Sequence, residues 1–118
     1  MRLALFSLIL TGLLVIPVHA QKRALTLEDY YLMKNVGAPR ISPDGRWVSY
    51  SVSMPIEETN GDVTETWLVR SDGSAQPVRV QHSGQNVSGT SWTDEGRLRF
   101  TAQNAAWLLD PARPDAPA

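Results

Sequence analysis

The sequence predicts a mainly β chain, built of antiparallel strands in repeated units. Three observations predict it. Ser42-Pro43-Asp44-Gly45 places Ser first, Pro second and Gly fourth, the order that suits a type I turn. After the turn, Val48, Tyr50 and Val52 alternate with Trp47, Ser49 and Ser51. That period of two marks a strand with one buried face. The unit then returns: Trp92-Thr93-Asp94-Glu95-Gly96-Arg97 echoes Ile41 to Arg46, and Glu95 stands 51 positions after Asp44. Leu98, Phe100 and Ala102 alternate in turn.

Repeats of about 40–50 residues suggest stacked four-stranded blades. The predicted fold is therefore antiparallel blades of an incomplete β-propeller, preceded by a signal peptide and a short helix. Residues 1–20 read as the signal. Arg2 is its positive end, Leu3 to Ile16 its apolar run, and Val18-His19-Ala20 its small-residue cleavage site. The apolar run is short for a membrane span, which needs about 20 residues. A retained N-terminal anchor is the competing reading.

Residues 21–37 form a lead-in and the short helix. Thr26 suits the N-cap, with Asp29 closing a variant capping box. Leu27, Tyr30, Tyr31 and Lys34 follow at helical spacing. The helix is expected to end near Asn35–Gly37, because Gly37 suits the position after a helix and Pro39 blocks continuation. Tyr30, Tyr31 and Met33 read as a docking stripe, with ligand contact as the alternative.

Residues 38–110 carry the blades. The first strand spans about 46–53, followed by a connection from Met54 to Asp62 with Pro55 as breaker and Asn60-Gly61 as turn. Val63 to Arg70 is the second strand, and Ser71-Asp72-Gly73-Ser74 turns the chain into a third at Pro77 to Gln81. Ser83 to Ser88 reads as loop. The repeat then restarts with Thr90–Trp92, a turn at 94–96, and strands over 97–102 and 105–109. Val48, Tyr50, Val52, Trp67, Val69, Leu98 and Phe100 are the expected inward faces, with Trp92 in the place of Ile41. Residues 111–118 are a Pro/Ala-rich end. One blade and part of a second leave sheet faces uncovered, so the expectation is the N-terminal portion of a longer product.

Composition narrows the function. The chain has 118 residues, 42% hydrophobic and 19% charged, with a formal net charge of −1. Nothing in it forms the basic patch that a nucleic-acid partner needs. With no cysteine, disulfides, thiolate metal sites and lipoprotein acylation are excluded.

The stretch Ser42 to Val52, "SPDGRWVSYSV", resembles the WD40-like propeller repeat of TolB and of prolyl oligopeptidase-family serine peptidases. Leu25 to Gly45, "LTLEDYYLMKNVGAPRISPDG", more specifically resembles the start of the acylaminoacyl-peptidase and dipeptidyl-aminopeptidase branch. The resemblance implies an exported, periplasmic or secreted protein without a cofactor. Its propeller would gate peptide substrates to a C-terminal hydrolase domain absent from this chain. The rival reading is a non-catalytic TolB-like periplasmic scaffold that binds a protein partner. Neither reading leaves a stable membrane span after signal cleavage.

No catalytic residue is assigned. A family nucleophile sits in a Gly-x-Ser-x-Gly elbow, and Gly84 to Gly89 has such letters at the wrong spacing. His82, the one histidine after the signal, reads as a surface or loop residue rather than the base of a triad. Glu57 and Glu58 are the candidates for substrate binding. A carboxylate pair in dipeptidyl-peptidase relatives holds the substrate's ammonium, although the flanking aromatics are missing here. A solvated loop is the plainer reading of that pair. Asp44, Asp72, Asp94 and Glu95 read as turn residues, since no Asp-x-Asp-x-Asp-Gly calcium pattern is present. Asn86-Val87-Ser88 matches a glycosylation triplet.

Overall fold

The computed structural model describes residues 23–115. Residues 1–20, read above as a signal with its cleavage site, lie outside the described residues, as do 116–118. One short helix, α1 (Leu27–Leu32), precedes eight strands: β1 (Asn35–Ile41), β2 (Trp47–Ile56), β3 (Gly61–Arg70), β4 (Val78–His82), β5 (Gln85–Asn86), β6 (Ser88–Trp92), β7 (Leu98–Ala102) and β8 (Ala105–Leu109). They form a five-stranded sheet, β1 to β5 in order, and a three-stranded sheet, β6 to β8 in order. All pairings are antiparallel between sequence neighbours. The chain is thus mainly β, with antiparallel sheets. No closed propeller is formed by the described residues.

The capping box forms as the sequence predicts. The Thr26 hydroxyl accepts from the Asp29 N–H, and the Asp29 carboxylate accepts from the Thr26 N–H at 2.9 Å. The helix, however, stops at Leu32. Met33 is already extended, with φ −72° and ψ 135°. Gly37, expected after the helix end, pairs with Ser51 inside β1 instead. A six-residue helix is below the length that is stable alone. It lies against β2, where Tyr31 is half-buried while Tyr30, Leu32 and Met33 stay exposed.

The predicted break at Pro55 does not occur. β2 runs on to Ile56, and Pro55 faces Asp62 across a tight hairpin. The pairing of β1 with β2 starts at Asn35↔Ser53, so residues 54–56 are paired on one side only. A proline without an N–H is tolerated there as on an edge strand. The loop expected over 83–88 contains a turn at Ser83-Gly84 and the two-residue strand β5.

Both repeated turns close by the same pair of bonds. The Ser42 N–H donates to the Trp47 carbonyl at 2.9 Å, and the Trp47 N–H to the Ser42 hydroxyl at 3.0 Å. The Thr93 N–H donates to the Arg97 carbonyl at 2.9 Å, and the Arg97 N–H to the Thr93 hydroxyl at 3.2 Å. The second turn is one residue shorter. Counted from these closures, Val48, Tyr50 and Val52 match Leu98, Phe100 and Ala102, and Ile41 matches Trp92. The registers Ile41↔Val48 and Trp92↔Leu98 agree.

The two matched faces have different fates. Leu98, Phe100, Ala102 and Leu109 are buried in the core together with Leu68, Val80 and Val87 of the first half. The expectation that Val48, Tyr50, Val52, Trp67 and Val69 are also core is corrected. They are half-exposed, and the opposite face of β2–β3 is the buried one, with Ser49, Thr66 and Leu68. The sheets stack head to tail: the back of the first covers the front of the second. A period-two pattern fixes which residues share a face, not which face is covered.

Candidate functional site

The repeat brings two backbone irregularities together. On β1 the pairing steps from Gly37↔Ser51 to Arg40↔Ser49, so Ala38 and Pro39 share one position opposite β2. On β6 it steps from Ser88↔Thr101 to Ser91↔Arg99, so Gly89 and Thr90 do the same opposite β7. Each is a bulge, a device that re-aims side chains and ends regular pairing. Ala38 and Gly89 stand 51 positions apart, and both are left-handed, with φ 48° and 60°. For Ala38 that conformation costs on the order of 1 kcal/mol, because its Cβ crowds the following carbonyl. A Cβ at Gly89 would in addition meet the Thr101 hydroxyl at 3.3 Å.

Both bulges line one cleft of about 410 Å³. The Thr66 hydroxyl donates to the Val87 carbonyl at 3.2 Å, and the Ser51 hydroxyl to the Gly37 carbonyl at 3.1 Å, so its walls are tied to the sheet. Asn86, Ser88 and Thr90 add an amide and hydroxyls. Arg40 is the charged residue on its wall. Among the described residues no carboxylate pairs with Arg40.

A second cleft, about 380 Å³, lies on the half-exposed front of the first sheet. Tyr50 and Trp67, opposite each other on β2 and β3, form its aromatic wall with Val36 and Val52. Glu65 lies at its side, accepting from the Trp67 indole N–H at 3.1 Å and pairing with Arg79 at 3.1 Å. A third, about 290 Å³, opens between the two repeated turns. There Arg46, Arg70 and Arg97 stand among Asp44, Glu95 and Asp110, and the Arg70 guanidinium lies 5.1 Å from the Trp47 ring centre.

The turn carboxylates act locally. The Ser42 hydroxyl, then the Arg46 N–H, hold Asp44 below the usual carboxylate range. Asp72 is lowered to about 2 by the Ser74 hydroxyl and N–H, with help from Arg70. Glu57 and Glu58 sit at the exposed tip between β2 and β3, and neither lines one of these three clefts. His82 is half-buried, its ring 4.1 Å from Trp107 and 6.2 Å from Phe100. It caps the aromatic pair of the second sheet. Asn86 accepts from Arg79 at 2.7 Å.

Among curated proteins, the chain is similar to Dipeptidyl-peptidase 5 of Porphyromonas endodontalis. The two are 30% identical over 110 residues, covering 82% of this chain and 16% of that protein. The similarity supports a relationship to that peptidase family. The chain spans only a small part of the relative's length. No family model matches the chain. No solved structure matches it.

The match covers 82% of the chain, so the relationship rests on more than the Ser-Pro-Asp-Gly turn. Sequence reading missed Arg40 and the bulges. The signal was present: Ala38-Pro39 and Gly89-Thr90 hold the same place in the 51-residue repeat. Gly37 and Pro39 serve equally well as helix punctuation, which masks the bulge.

Proposed function

We propose that this chain is the N-terminal propeller portion of an exported serine peptidase of the prolyl oligopeptidase family. In this reading the blades gate peptide substrates toward a hydrolase domain outside these 118 residues. The observation that carries it is the similarity to Dipeptidyl-peptidase 5 over 110 residues. The head-to-tail stacking supports the propeller part of the reading. Such packing uses two different surfaces, so it continues from unit to unit and closes when the rotation allows. The uncovered front of the first sheet, with Tyr50 and Trp67, is where another blade would fit.

The test is to express the complete reading frame and assay it on dipeptidyl-naphthylamides. Release of naphthylamine, lost when the serine of a downstream Gly-x-Ser-x-Gly elbow is replaced, is the expected result. A frame with no such domain and no hydrolysis overturns the peptidase reading. Capture of a periplasmic partner by that inactive product would favour the scaffold.

A further inference from the structure

We infer that the cleft between the two bulges is a carboxylate-binding site, with Arg40 as its anchor. Four observations converge on it. The two bulges, 51 positions apart, open onto the same space, and a bulge leaves backbone groups off the ladder beside it. Ala38 holds a left-handed conformation that its side chain disfavours. Strain of this kind clusters where a surface is shaped for a ligand.

The third observation is Arg40 itself. Its equivalent in the second sheet, directly after the other bulge, is Ser91. The sheet architecture is therefore satisfied by a small residue there, and the guanidinium of Arg40 is an addition to it. Among the described residues it has no carboxylate partner, as Arg46, Arg97 and Arg99 have none, but of these four only Arg40 lines this cleft. The fourth is the rest of the lining. Ser88 and Thr90 bring hydroxyls, and Thr90 also keeps an N–H where its equivalent, Pro39, has none. A planar guanidinium lining the same cleft as neutral donors suits a carboxylate, which accepts two parallel bonds from arginine and others from hydroxyls.

The carboxylate can belong to a peptide's C-terminus or to an acidic side chain, and the probes separate these. The full chain is titrated by NMR with tetra-alanine, with its C-terminal amide, and with N-acetyl-Ala-Glu-Ala-amide. Shifts at Ala38, Gly89 and Thr90 are expected with a free carboxylate, and about tenfold weaker binding of the tetra-alanine amide than of the acid if the C-terminus is read. Binding of the glutamyl peptide instead assigns the acidic side chain. Arg40→Ala should weaken the bound probe about tenfold, Arg40→Lys by less, while Arg99→Ala on the far face changes nothing. Thr90→Val, which keeps Arg40, should weaken it several-fold. Equal binding of acid and amide with no response to the glutamyl peptide overturns the inference, as does unchanged affinity in Arg40→Ala. Carboxylate binding by a protein that proves not to be a peptidase leaves this site standing and removes only the peptidase reading.

Discussion

Tyr50 holds in the first sheet the position that Phe100 holds in the second, yet only Phe100 is buried. Each faces a tryptophan across its hairpin, Trp67 for Tyr50 and Trp107 for Phe100. The difference lies in what covers the pair. Phe100→Ala should cost about 3–5 kcal/mol, the range for emptying an aromatic core site. Tyr50→Ala, on the open face, should cost at most about 1 kcal/mol. Urea unfolding of both variants checks this, and equal losses would contradict the head-to-tail stacking.

Trp92 ties the sheets by a different means. Its indole N–H donates to the Arg40 carbonyl at 3.1 Å. Trp92→Phe keeps most of the ring and removes the bond, at an expected cost of about 1 kcal/mol. The Arg40 carbonyl should then show faster exchange of its neighbouring amides, which hydrogen-exchange NMR measures.

The two left-handed residues predict opposite responses. Ala38→Gly removes Cβ strain and should leave stability unchanged or raise it by less than about 1 kcal/mol. Gly89→Ala adds both the conformational penalty and the 3.3 Å contact with Thr101. Its expected loss is about 1–2 kcal/mol. Thermal melts of the two variants side by side test this.

Acid should loosen the start of the chain late. Asp29 is lowered to about 2 by Arg23 first, and then by the Thr26 N–H. Its folded value lies below the ordinary 3.8, so its contribution is fully present above that value and fades as pH falls through about 2. The Thr26 and Asp29 amide shifts should titrate with a midpoint near 2, and Asp29→Asn should abolish that step. A midpoint near 3.8 would mean that the capping box and the Arg23 pair do not form in solution.

Much of the architecture was legible in the residues. The turn chemistry of Ser42 to Gly45, the Thr26 cap and the alternation of β7 each point to one local structure, and each forms. The strand at Asn35–Ile41 was hidden because Gly37 and Pro39 are equally good helix stops and bulge formers. The burial of Ser49 was hidden for another reason. In β2, Val48, Tyr50 and Val52 lie on the open face, while packing against the core is done by Trp47, Leu68 and Val80 beside small hydroxyls. Hydrophobic alternation locates a sheet's apolar side, but here sheet stacking decided which side meets a neighbour. Glu57 and Glu58 were legible as paired charges, but they line none of the three clefts. The Arg40 cleft was not legible, because it depends on two bulges meeting across sheets.

The unequal lengths of the two repeated turns have an evolutionary corollary. Within a strand, one inserted residue would exchange inside for outside along everything that follows. Between Ser42 and Trp47 the additional residue is absorbed before the hydroxyl-to-amide closure, and that closure restarts the count. The Ser or Thr at the turn's head therefore acts as a reading-frame marker for side-chain direction. Insertions between the marker and its closure should be tolerated as natural length variants, while the same insertions two residues later should abolish folding.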